Sequence, residues 1–111
     1  MATELAALWR RHQQEALPAV PQASQGELWV LDEVIGGCVA YYLEAGPVLD
    51  SRRASILHDC RADLERLLPD LEGPAINYFR RLGTLAELVL SASADERQPL
   101  EGSDDERSQA L

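Results

Sequence analysis

Proline stands at positions 18, 21, 47, 69, 74 and 99, and each of the first five ends or begins whatever helix approaches it. The ring removes a backbone donor and collides with the preceding turn. Between these breaks the apolar residues recur at steps of three and four, the spacing that gathers them on one side of an α-helix. The chain is therefore expected to be a series of amphipathic helices rather than strands. Its apolar residues are mostly Leu and Ala, and aromatic residues make up only 5%, a composition that favours helix by propensity. A length of 111 residues fits one domain with one modest core.

The segments can be bounded by their caps. Residues 3–17 read as a first helix, with Thr3 as cap and Leu5, Leu8, Trp9, His12 and Ala16 on a narrow apolar stripe. Pro18 to Gln25 form a linker. Ser24 and Glu27 match a capping box, so a second helix should start there and run to Ala45, ending at Gly46-Pro47. Asp50 can cap a third helix over 51–68, whose apolar face is Ile56, Leu57, Cys60, Leu64, Leu67 and Leu68. Pro74 suits the first position of a fourth helix reaching Leu90, with Ala75, Tyr78, Phe79, Leu82, Leu85, Ala86, Val89 and Leu90 facing inward. Beyond it the composition turns to Ser, Asp, Glu, Arg and Gln. The expected fold class is all-α: a four-helix up-and-down bundle over residues 1–90, then a disordered acidic tail over 91–111.

The second helix is the unusual element. On a wheel of about 100° per residue, Leu31, Val34, Ile35, Cys38, Tyr42 and Ala45 share one face, with Leu28 and Val39 at its border. Glu33, Gly37, Ala40 and Glu44 form the one polar or small strip, and Trp29, Asp32, Gly36 and Leu43 occupy a further flank. Such a helix is apolar around most of its circumference. The adjacent Gly36 and Gly37 each cost about 1 kcal/mol relative to alanine, which close approach of another backbone would offset. That backbone belongs either to a neighbouring helix of the same bundle or to a partner docking on the Trp29/Gly36/Leu43 flank. The candidate partner-binding residues are Trp29, Asp32, Glu33, Gly36, Tyr41 and Leu43, with Tyr41 at the margin of the core.

His58 falls on the outer side of the third helix, flanked one turn away by Ala54 and Ala62 and followed by Arg61. An accessible histidine beside a cation suits phosphoryl transfer. Here the run His58-Asp59-Cys60-Arg61-Ala62 partly resembles the His-x-x-Lys-Gly motif of histidine phosphotransfer domains, which are also helical bundles. The resemblance implies His58 as phosphoacceptor and Arg61 as its charge partner. His12 reads as a packed, hydrogen-bonded residue at the core edge. Neither histidine follows a glutamate at the spacing of a bundle-type metal site, and no serine or cysteine has the context of an activated nucleophile. Cys38 and Cys60 read as small buried hydrophobes. No catalytic residue, metal or cofactor is assigned, and the protein is not expected to be an enzyme.

Charge narrows the partner. The formal net charge is −9, and every basic residue is arginine, so nothing supplies the basic stripe that nucleic acid or an anionic membrane would need. Six acids against Arg97 and Arg107 leave residues 91–111 at −4 and the body at −5. The lack of lysine, with abundant Ala, Leu, Arg and Gly, suggests a bacterial source, and no secretory or membrane-spanning pattern is legible, so the expected compartment is the cytoplasm. The expected function is that of a protein-binding module, an inhibitor or adaptor engaging a basic protein partner, or itself as a homodimer, through the second helix. In size, acidity and adjacent tyrosines, Tyr41-Tyr42, the chain resembles the immunity proteins that neutralise bacterial nuclease toxins, a likeness of fold alone.

Overall fold

A computed structural model describes the backbone of residues 2–46 and 48–110 and the side chains of residues 4–46 and 48–94. Among these the chain is all-helical: α1 (Ala2–Gln13), α2 (Gln22–Ala45), α3 (Ser51–Leu67), a short 3-10 turn (Leu68–Asp70) and α4 (Pro74–Ala110). No described helix is long and apolar enough to cross a membrane.

The third helix starts as its sequence predicts. The Asp50 carboxylate accepts the Arg53 backbone N–H at 2.7 Å, and the Arg53 guanidinium returns to the same carboxylate at 2.6 Å. The second begins two residues before the expected capping box. Pro21 takes the cap position, its ring already holding a helical φ. Ser24 and Glu27 thus lie inside the helix, where the box has no free donors to satisfy. Ser24 Oγ turns back to the Pro21 carbonyl at 3.5 Å, and Glu27 pairs with Arg66 of α3 at 2.6 Å. The helix stops after Ala45 as expected, at a Gly46 with φ of 145°, a value that side chains with a Cβ rarely adopt. Pro47 and the Thr3 cap lie outside the described residues and side chains.

α1 is shorter than its pattern suggests. Gln14 and Glu15 donate to the carbonyls of Arg11 and His12 at 3.2 Å, a three-residue step that tightens and ends the helix. Ala16 is exposed and Leu17 is 47% exposed, so no apolar contact holds a further turn, and Pro18 disfavours helical geometry in the residue before it.

At the other end the boundary expected after Leu90 falls inside a packed helix. Ala92 lies against the core, and Ser93 is 1% exposed with its Oγ accepting the Leu49 N–H at 2.8 Å. The backbone of α4 is helical to Ala110. The side chains of 95–111 lie outside the described ones.

The core is centred on Phe79, Leu82, Leu85 and Val89 of α4, which meet Leu28, Ile35 and Val39 of α2 and Leu57 and Leu64 of α3, all fully enclosed. The buried face of α2 is rotated from the expected one: Leu28 and Val39 lie at 0% exposure, Val34 is half-buried and Ala45 exposed. α3 shows a similar rotation. Ala54 is buried, whereas Ile56 is 39% exposed, because the inward line runs through Ala54, Leu57, Leu64 and Leu67. α4 touches all three other helices, and α1 packs on α2 and α4 without reaching α3. Contacts between consecutive helices fall in reversed order. Tyr41 of α2 meets Arg53 of α3 while Glu27 meets Arg66, and Arg61 of α3 meets Glu87 of α4 while Leu64 lies against Gly83.

Candidate protein-binding face

The six residues singled out on α2 divide into two groups. Gly36, Asp32 and Leu43 face inward, which removes them from an open flank. A Cβ at Gly36 would lie 3.3 Å from Cη2 of Trp9. The neighbour that explains this glycine is therefore the indole of Trp9 on α1, rather than another backbone. Asp32 accepts the Tyr78 hydroxyl at 2.9 Å, and Leu43 is half-buried against the core. Trp29, Glu33 and Tyr41 do reach solvent, Trp29 at 47% and Tyr41 at 37% exposure. One face of the Tyr41 ring is covered by the Arg53 guanidinium, 3.9 Å from its centroid, a cation–π contact between α2 and α3.

Gly37 is a different case. Nothing lies within 4 Å of the Cβ it lacks, and the same holds for Gly26. Val30, which periodicity alone did not single out, is the most exposed large apolar residue among the described ones, at 58%. Its signal was its spacing, seven residues before Gly37 on the strip that carries Glu33 and Glu44. The outer face of α2 thus combines uncovered apolar and small residues with carboxylates. Neither Glu33 nor Glu44 has an ion-pair partner among the described residues.

The difference between the two glycines is measurable. Gly37→Ala is expected to raise stability by about 0.5–1 kcal/mol, since alanine restricts the unfolded chain and meets no obstacle. Gly36→Ala should gain less or lose, because Trp9 has to move. Urea midpoints of the two variants compare them directly, and equal gains would mean that the indole does not rest on Gly36.

Beneath this face lies a polar cluster that single-helix periodicity could not reveal. His12 is 3% exposed, its ring 4.3 Å from that of Tyr78 and 6.0 Å from that of Trp9. Its Nδ1 accepts from Nε of Arg81 at 3.3 Å. Arginine only donates, so in the neutral ring the proton sits on Nε2. That atom has no hydrogen-bond partner and lies 3.7 Å from the Asp32 carboxylate. Arg81 also grips Glu15 with both terminal nitrogens, at 3.0 and 2.6 Å, a bidentate geometry stronger than a single contact. The cluster fastens the end of α1 to α4 and agrees with His12 as a packed core-edge residue.

Burial, and after it the Asp32 carboxylate, push the Tyr78 hydroxyl well above the ordinary tyrosine value of 10.0. Because the folded chain holds this proton more tightly than the unfolded one, its contribution is complete below about pH 10 and fades as pH rises further. Tyr78→Phe should therefore show a shallower fall in melting temperature from about pH 9 to about pH 11 than the parent protein. Parallel curves would disprove the linkage.

No protein-family model, curated protein or solved structure matches this chain. His58 is exposed as expected, but Arg61 lies 3.4 Å from Glu65 and 3.6 Å from Glu87, so its charge already faces two carboxylates. Ala54, expected to flank His58 on the surface, is buried. Cys38 is buried and Cys60 half-buried, and burial pushes both thiols above their ordinary value, which disfavours the nucleophilic thiolate. A cleft of about 380 Å³ between α1 and α4 is lined by Glu4, Ala7, Leu8, Arg11, Thr84 and Leu88, a set without a nucleophile and base pair. Among the described residues no cluster of three or more His, Cys, Asp or Glu could hold a metal ion.

Proposed function

We propose that this chain is a small acidic binding module, an inhibitor or adaptor acting in the cytoplasm, that engages a basic protein partner through the solvent face of α2. The observation that carries this reading is the uncovered Gly37, with Val30 58% exposed on the same strip of the helix and Trp29 47% exposed beside it. A glycine inside a helix weakens it, and intramolecular packing accounts for Gly36 but not for Gly37. Exposed aromatic and aliphatic side chains on a helix are the kind of anchors that interfaces use. The charge points to the partner: α2 contains Glu27, Asp32, Glu33 and Glu44 and no basic residue, within a chain of net charge −9. Such a surface steers cationic proteins toward it. On this reading the four helices alternate up and down, an arrangement supported by the reversed order of contacts between consecutive helices, and they present α2 as a rigid platform.

The test is affinity capture from the native host with the parent protein and with a Glu33→Arg, Glu44→Arg double variant. A basic protein retained by the first and lost by the second, with binding that weakens as salt is raised, is the expected outcome. Equal retention by both would move the interface off α2.

A further inference from the structure

The outer strip of α2 is one continuous line of residues. Gly26, Val30, Glu33, Gly37, Ala40 and Glu44 are spaced four, three, four, three and four residues apart. They therefore lie along one side of the helix. None of the six is buried, and nothing occupies the space above Gly26 or Gly37. The two glycines and Ala40 lower the surface along the seam, and small residues at such positions let two helix backbones approach closely. Val30 and the neighbouring Tyr41 stand above this floor, 58% and 37% exposed. Glu33 and Glu44 flank Gly37, eleven residues apart, or about 16 Å along the axis.

We propose that the occupant of this seam is a single amphipathic helix of a partner protein, with a small or apolar centre and two basic residues about three turns apart that meet Glu33 and Glu44. The proposal rests on the binding function above and goes beyond it in fixing the form of the partner. The small residues Gly26, Gly37 and Ala40 admit the backbone of a second helix laid along α2, within reach of both Glu33 and Glu44. Charge decides against a second copy of this chain. Packing two such strips together would bring Glu33 and Glu44 against the same carboxylates on the copy, and like charges in contact are unfavourable. Arginines at those places turn the same contacts into ion pairs.

The test is a titration of the full-length protein with two synthetic helical peptides of identical composition and net charge. One carries arginines eleven residues apart on its apolar face, and the other carries them on the opposite face. Trp29, exposed beside the strip, provides a fluorescence signal, and calorimetry supplies the stoichiometry. The expected result is one-to-one binding of the first peptide, about tenfold or more tighter than the second, the scale of a lost interface anchor. Gly37→Leu should lower that affinity by a similar factor, with an unchanged far-UV circular dichroism spectrum as evidence of folding, and Glu33→Gln should lower it independently. Equal affinity for the two peptides would overturn the helical seam while leaving the general attraction to basic partners standing. Binding of neither, even at low salt, would remove both. A dimer in light scattering that Gly37→Leu dissociates would assign the strip to a second copy and likewise overturn the proposal.

Discussion

Phe79→Ala is expected to cost about 3–5 kcal/mol, the range for truncating a large aromatic side chain in a core that collapses only partly around the cavity. Phe79 is completely enclosed and heads the fully buried side chains by volume. It packs edge-on against Tyr78 with ring centroids 4.9 Å apart, and Tyr78 in turn carries the hydroxyl bonded to Asp32. The lost volume therefore opens a cavity and loosens one support of the polar cluster that fastens α1 to α4. Against a stability of about 5–15 kcal/mol for a domain of ordinary size, this single change removes about a fifth of the margin or more. Val30→Ala, at a 58% exposed position, should change stability by less than about 0.5 kcal/mol. Urea unfolding followed at the helical circular dichroism band measures both. A Phe79→Ala loss as small as that of Val30→Ala would mean that the core is not centred on α4.

Ending the chain after Leu90 is expected to destabilise it, whereas ending it after Ala94 should spare the packed part. The shorter form loses Ala92, which lies on the core, and Ser93, whose Oγ is the acceptor for the buried Leu49 N–H. A buried donor left without a partner costs about 1–3 kcal/mol. Leu49 is itself fully enclosed, and it holds the connection between α2 and α3 in place just before the Asp50 cap. Ser93→Ala in the full chain isolates the hydrogen bond and should account for most of that difference. The check is the urea midpoint of the three forms: equal stability of the chains ending at 90 and 94 would place the boundary where composition alone puts it.

Much of the fold was legible because helices follow from local rules. Pro69 and Pro74 bracket the connection between α3 and α4, Asp50 caps α3, and Gly46 ends α2, and each works through the backbone of its own neighbourhood. The errors lie where a distant group wins over the local one. Glu27 fits a capping box by spacing but pairs with Arg66, thirty-nine residues away. Ser93 belongs by composition to an acidic tail, yet it serves a donor forty-four residues earlier.

The candidate site divides along the same line. The sequence alone determined that α2 is apolar on nearly every side, that it contains two adjacent glycines, and that its one polar strip carries Glu33, Gly37, Ala40 and Glu44. All of this follows from residue identity and helical periodicity. Only the tertiary structure decided which glycine has an internal neighbour. That depends on where the indole of Trp9 comes to rest, twenty-seven residues upstream, and packing of one helix on another is fixed by surfaces that no single periodicity contains. Gly36 is thereby covered from within the protein, and Gly37 is left open.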